Sequence, residues 1–364
     1  MIGVGMHNWV AEAHGKTLVL LGAGASAPWL PVSAGLTELV IASISKQLED
    51  HPGYLGRAWR IVLEQLHDTS NIEEFFSSLA DVAHQDSDTT RFWVREWVPL
   101  PEVTAADGPG VEVRQSFDFL AGMVQSTVMS ILAGKTEIAD KSYMHPLVGA
   151  HLRGIVTLNY DVMVENAATE IGRRYTTGAT EWDGGVRWFA DDLGDDVLQV
   201  LKLHGSLNWR ATRVVVGPPL PILGYEEVPG DGLGPGRLLA RVDEPAIFGL
   251  SGKMSPSDPY PALRREFDRM IEDVELLVVV GFSFWDAHVT EPIRRWLALD
   301  DRRRMIVVDP NFDASTTPIR VLVDVLCSEY RIDGKPTMAV DLGVDRLRIL
   351  QATAADGLST LFSG

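Results

Sequence analysis

Five short apolar runs, each stopped by glycine or a polar residue, constrain this 364-residue chain more than any other feature. They are "TLVLL" at 17–21, "GIVTLN" at 154–159, "VLQVLKLHG" at 197–205, "LLVVVGFSF" at 276–284 and "RMIVVDPN" at 304–311. Continuous apolar segments of this length suit strands buried on both faces, the condition of a parallel sheet. Helical stretches separate several of them: "DVMVENAATEIG" follows the second run, "YPALRREFDRMIEDVE" precedes the fourth, and "TTPIRVLVDVLCSEY" follows the fifth. The expected fold class is α/β: a Rossmann-like parallel sheet flanked by helices, with a helical insertion after the first strand.

The insertion is read from periodicity. Ser33 stands where a helix cap belongs, and Leu36, Val40, Ile44 and Leu48 then recur close to every four residues. Further on, Ser70 and Glu73 have capping-box spacing, and Phe75, Phe76 and Leu79 supply an apolar face. "DTTRFWVREWV" and "FDFLAGMVQSTVMSIL" read as further helices, with "PLPEVTAADGPG" as a surface loop between them. The expected division is an α/β domain built from 1–40 and 145–364, with a helical subdomain at 41–144. Residues 206–258, rich in Gly and Pro, read as a long covering segment, and no internal repeat is found.

Charge and cysteine content narrow the function classes. A formal charge of −18 argues against a broad nucleic-acid face, which needs clustered Lys and Arg. The short basic stretches "RREFDRM" and "DDRRRM" read as solvated helix ends, so any anionic ligand depends on local donors. The single cysteine, Cys327, leaves no internal disulfide framework and no four-cysteine zinc site within one chain. No uninterrupted apolar run approaches the roughly 18–20 residues that span a bilayer. "MIGVGMHNWVAEAHGK" lacks a basic segment followed by an apolar core, so a cytoplasmic setting is expected.

In an open parallel sheet, ligands bind outside the carboxyl ends of the strands. The first run delivers Gly22, Ala23, Gly24, Ala25 and Ser26 there, and the second delivers Asn159 and Asp161. The third delivers His204, Gly205 and Ser206; the fourth delivers Gly281 and Ser283, then Asp286 and His288; the fifth delivers Asp309 and Asn311. Taken alone, Gly-x-Gly-x-x-Ala at 22–27 fits a phosphate-cradling turn or a plain strand-to-helix corner equally well. A dehydrogenase would follow that turn and its helix with a second strand carrying a ribose-binding acid. Helical periodicity occupies that region, which disfavours hydride transfer.

Each polar residue has two readings. Ser26 either bonds a phosphate or caps its own helix, and Asp161 is placed to cap the helix that follows it. His204 is either a general base, suited by its near-neutral pKa, or a satisfied structural donor. Ser283 meets a ribose or phosphate, or closes a turn. Asp309 accepts from ribose hydroxyls, or forms a surface turn before Pro310. Asp286 and His288, separated by one residue, are too few for a metal site and read as local structure.

The ordered set GAGAS, TLNYD, LHGS and GFSF resembles the NAD-binding core of sirtuins. More closely, it is similar to bacterial sirtuin-like proteins that hydrolyse NAD in antiphage defence, a branch that "NIEEFFSSL" also resembles. The likeness covers about residues 15–40 and 145–312. It implies an NAD⁺ hydrolase giving nicotinamide and ADP-ribose, with linear or some cyclised product left open, with NAD as substrate and no metal. It further implies that Asn159 contacts the ribose and orders the attacking group, and that Asp161 holds the nicotinamide amide. His204 would then be the base, while Gly22, Ala23, Gly24, Ser26, Gly281, Ser283 and Asp309 would hold the dinucleotide. Control is implied through a homo-oligomer, a partner ATPase of the HerA type, or a phage-derived trigger. No phosphate-loop motif occurs here, so such an ATPase is a separate chain. The zinc ribbon of deacetylating sirtuins cannot form, and "APWLPVSAGL" stands where they carry a phenylalanine-arginine pair. The rival expectations are a zinc-independent deacylase and a non-catalytic NAD or ADP-ribose sensor acting through assembly.

Overall fold

A computed structural model describes residues 2–49, 54–66, 68–84, 111–182, 184–185, 187–190, 193–194, 196–215, 221–228, 259–326, 329–332, 335–338 and 346–363. The expected helix "DTTRFWVREWV", the loop "PLPEVTAADGPG", Cys327 and most of the covering segment lie outside them. In chain order, the first half comprises α1 (Ile2–Glu12), β1 (Thr17–Leu21), α2 (Ala23–Ser26), α3 (Ser33–Leu48), α4 (Tyr54–Gln65), α5 (Ile72–His84), α6 (Val111–Ile138), α7 (His145–Gly149), β2 (Gly154–Thr157) and α8 (Met163–Glu170). The second half comprises β3 (Tyr175–Thr176), β4 (Leu198–Lys202), β5 (Trp209–Val215), β6 (Pro221–Glu227), α9 (Tyr260–Glu272), β7 (Leu276–Val280), α10 (Ala287–Leu299), β8 (Arg304–Val308), α11 (Arg320–Leu326), β9 (Glu329–Ile332), β10 (Lys335–Met338), β11 (Leu347–Leu350) and α12 (Ala354–Phe362).

Seven strands form one sheet in the order β11-β8-β7-β1-β2-β4-β3, and every pairing in it is parallel. The five expected strands are contiguous at its centre. β1 lies between β2 and β7, where the connections diverge to opposite sides, the position at which open α/β sheets bind ligands. Strand alternation sorts the core into two layers. Val19, Leu21, Ile155, Val200, Val278 and Val308 face one, and Leu18, Leu20, Val156, Leu201, Val279 and Val307 face the other.

The insertion helices α3–α6 pack into the first of these layers, through Val40, Ile44, Trp59, Phe75, Leu79, Phe117, Leu120 and Val124. Helix α3 runs unbroken past residue 40. Ser116–Ile138 has the length and mean hydropathy, 1.3, of a bilayer-spanning helix. Its Phe117, Leu120, Val124 and Val128 are buried in the same core as α3, α4 and α5, and 39% of the apolar window is buried in all.

Both expected caps differ in detail. Ser33 is the first residue of α3, not its cap; its hydroxyl donates to Asn71 Oδ1 at 3.2 Å and accepts from the Ile72 amide. Helix α5 begins at Ile72, so the Ser70–Glu73 box is out of register, and Asn71 Oδ1 accepts from the Glu73 amide instead. Within the covering segment, β5 and β6 make an antiparallel hairpin, and Trp209 and Tyr225 from it join Trp182 and Trp188 in the second core layer.

Candidate functional site at the carboxyl ends of the strands

Three glycines decide the shape of the turn after β1. A Cβ on Gly22 would lie 2.5 Å from the Gly281 carbonyl oxygen, and one on Gly24 would lie 2.7 Å from Gly281 Cα. Gly281 has φ +61°, and a Cβ there would meet the Gly24 carbonyl carbon at 2.3 Å. Two strand ends thus touch backbone to backbone, which only glycine permits. The Gly22 amide donates to Val280 O, the Gly24 amide to Gly281 O and the Ala25 amide to Gly22 O, each at 2.9 Å. Close strand packing therefore accounts for these glycines, and those three amides are already spent.

Ser26 is tied to the residues that follow β2. Its buried hydroxyl donates to Asp161 Oδ2 at 2.9 Å and accepts from Asn159 Nδ2 at 3.1 Å. Asn159 gives its second amide hydrogen to Gly22 O at 2.9 Å. With both Nδ2 hydrogens committed, Oδ1 is the group that Asn159 can offer a ligand. Asp161 Oδ1 accepts from the Met163 amide at 3.0 Å, so this carboxylate braces the start of α8 from one residue before its cap, Val162, and is not itself the expected cap. Asn159, Ser26 and Asp161 form one directed hydrogen-bond run across the ends of β1 and β2.

The next strand adds an imidazole and a buried charge. Lys202, at the end of β4, reaches Glu165 Oε1 at 2.9 Å, an ion-pair contact without aligned hydrogen-bond geometry, and also donates to the Asp161 carbonyl. Burial raises the Glu165 carboxyl above its ordinary range, with Lys202 opposing that shift. Two residues on, His204 is only 2% exposed, and its Nε2 lies 3.0 Å from His288 Nε2. The two rings stack at 5.2 Å between centroids, with 28° between their planes. The Leu207 amide donates to Tyr160 O at 2.8 Å, tying the loop after β4 to the loop after β2. Tyr160 is partly buried, and desolvation, then Glu73, Tyr260 and Asp286, push its phenol well up.

The remaining candidates lie along the same edge of the sheet. Ser283 follows β7 and is exposed. Asp309 follows β8, is partly buried, and its Oδ1 accepts from the Asn311 amide at 2.8 Å, so the expected turn is present. The Gly281 amide donates to Val308 O, joining these two strand ends. Neither Ser283 nor Asp309 touches the Asn159–Ser26–Asp161 run. Among the described residues, no group of three or more His, Cys, Asp or Glu could hold a metal.

Residues 153–323, which carry β2, β4, β7, β8 and most of these side chains, match the family model of the SIR2-like domain. Nearly half of the chain is thus similar to the SIR2-like domain. Among solved structures, the chain is similar to a SIR2 homologue in complex with NAD, at 14% identity and a TM-score of 0.45, covering 98% of this chain and 92% of that one. It is also similar to a mutant Sir2 homologue in complex with 2′-O-acetyl ADP ribose, at 15% identity, coverage of 99% and 94%, and a TM-score of 0.45. A third, Sir2Tm bound to a propionylated peptide, is 11% identical with a TM-score of 0.40, covering 98% and 97%. No curated protein sequence matches the chain.

Sequence reasoning placed Asn159, Asp161 and His204 at the carboxyl edge of the sheet, and they lie there on two neighbouring strand ends, those of β2 and β4. It missed the Lys202–Glu165 pair and the contact that His288 makes with His204. No local signal marks either, because the partners are 37 and 84 residues apart in sequence.

Proposed function

We propose that this SIR2-like chain cleaves the nicotinamide–ribose bond of NAD⁺, releasing nicotinamide and ADP-ribose in linear or cyclic form, and that it needs no metal. The observation that carries this reading is the hydrogen-bonded run Asn159–Ser26–Asp161, at strand ends next to the one that carries the imidazole of His204. Such a set of amide, hydroxyl, carboxylate and imidazole suits a hydroxylated sugar and a carboxamide. When bound, NAD⁺ supplies a cationic leaving group that departs neutral with the electrons of the broken bond, so the sugar needs electrostatic support, as in glycoside hydrolysis.

Asn159, held by Gly22 O and Ser26 Oγ, offers Oδ1 to the ribose and orders the attacking water. His204 takes the proton of that water or of a ribose hydroxyl, a contribution usually worth about 10²–10⁴ in rate. Asp161 has acceptor capacity left after Ser26 and Met163, enough to take an N–H of the departing carboxamide. Gly22, Ala23, Gly24 and Gly281 shape the floor of the crevice, while Ser283 and Asp309 serve the rest of the dinucleotide. Uncontrolled NAD loss would harm the host, so we further read the chain as a gated cytoplasmic effector of antiphage defence. Its gating through a homo-oligomer, a HerA-type ATPase or a phage-derived trigger is supported by resemblance alone.

The test is to incubate purified chain with NAD⁺, alone and with candidate partners, and to follow nicotinamide. Release without an acylated peptide supports the hydrolase. Release only with such a peptide would identify a deacylase, and tight NAD binding without turnover under every condition would identify a sensor; either overturns the proposal.

A further inference from the structure

Building on the hydrolase reading, we propose that His288 is a positioning residue that shares one proton with His204 and so fixes which nitrogen of His204 is basic. Two imidazole nitrogens 3.0 Å apart cannot both carry hydrogen, and cannot both present lone pairs; one donates and the other accepts. His204 is 2% exposed, so the groups packed against it, the His288 ring among them, set its tautomer.

The segment that carries His288 is built to hold it there. Phe284 adopts φ +65°, a conformation costly for an aromatic residue, with its ring 1% exposed. The Thr290 hydroxyl donates to the Phe284 carbonyl at 2.8 Å, and the Val289 and Thr290 amides donate to the Asp286 carbonyl. These bonds lock the first turn of α10, in which His288 sits one residue from the helix start.

In the reaction, the bond from C1′ to the nicotinamide nitrogen breaks with its electrons going to nicotinamide, and a water oxygen bonds to C1′. The proton from that water passes to His204, is held in the N–H···N contact between the rings, and leaves to solvent. His288 touches neither substrate nor attacking water; it acts through His204.

The test uses the full chain with three substitutions. Asparagine at 288 withdraws its polar group from the Nε2 position, whereas glutamine places an amide there. His288→Ala and His288→Asn should each lower kcat by about tenfold or more. KM for NAD should stay within about twofold, and His288→Gln should recover most of the kcat. In parallel, nitrogen-15 spectra of the imidazoles should show one dominant His204 tautomer in the parent and in His288→Gln. In His288→Asn and His288→Ala they should show a mixture. Unchanged kcat, a rise confined to KM, failure of glutamine to rescue, or an unmoved His204 signal would each overturn the proposal. If the parent turns over no NAD under any condition, the hydrolase reading fails, while the ring-nitrogen spectra still decide the role of His288.

Discussion

Lys202 Nζ lies 2.9 Å from Glu165 Oε1, with the two side chains 0% and 3% exposed. The same ammonium donates to the Asp161 carbonyl, so one buried cation braces the loop that carries Asn159 and Asp161. Removing one partner strands a charge away from water. Lys202→Met is expected to cost about 3–5 kcal/mol in urea unfolding, and pairing it with Glu165→Leu should restore most of that loss. A double variant as unstable as the single would show that the pair matters for shape and not for charge.

The Lys202→Met variant should also carry a distinctive pH dependence. Burial already holds the Glu165 carboxyl above its ordinary value of 4.5, and without Lys202 nothing charged opposes it. Above that value the unfolded chain has released this proton while the folded chain retains it, so stability falls as pH rises. Below it, both states are protonated and the penalty disappears. The deficit relative to the parent should therefore shrink between about pH 7 and pH 4, measured as the difference in urea midpoints.

Asn159 and His204 separate chemistry from folding. Asn159→Ala and His204→Ala should each cut NAD turnover by about 10² or more while leaving the circular dichroism spectrum unchanged. Parental rates in both would sink the proposed mechanism. Asn159→Asp should behave differently, because a carboxylate would face Gly22 O and sit near Asp161. It should destabilise the fold by about 1–3 kcal/mol more than alanine does, read as a lower thermal midpoint.

Gly281→Ala tests the glycine contact directly. Its φ of +61° strains any other residue, and the added carbon would approach Gly24 C to 2.3 Å. A loss of about 2–4 kcal/mol is expected, with reduced NAD turnover because the turn after β1 must shift. Gly172→Ala, also at positive φ but with open space around it, serves as a control for backbone strain alone. Equal losses at the two positions would show that the close strand contact carries no energy.

What the sequence by itself determined is local. The burial of "TLVLL" on both faces is written in five consecutive residues, and β1 spans Thr17–Leu21 as that pattern requires. The same logic located β2, β4, β7 and β8, and with them the strand ends where Asn159, His204, Gly281 and Asp309 had to lie. Edge strands escaped it: β3 has two residues and β11 alternates Arg348 among apolar neighbours, too little pattern to read. Helix starts escaped it by a residue, because Asn71 competes with Ser70 for the same amides.

Tertiary structure alone decided what these groups do to one another. Gly22 and Gly24 are glycine because Gly281, more than 250 residues away, lies against them. Ser26 serves Asp161 and Asn159 because β1 and β2 are neighbours in the sheet. His204 owes its partner to the first turn of α10, and Lys202 owes its own to α8. Periodicity reports how a residue meets solvent, a property of its own segment. A hydrogen bond depends on two segments and the path between them, which only the folded chain specifies.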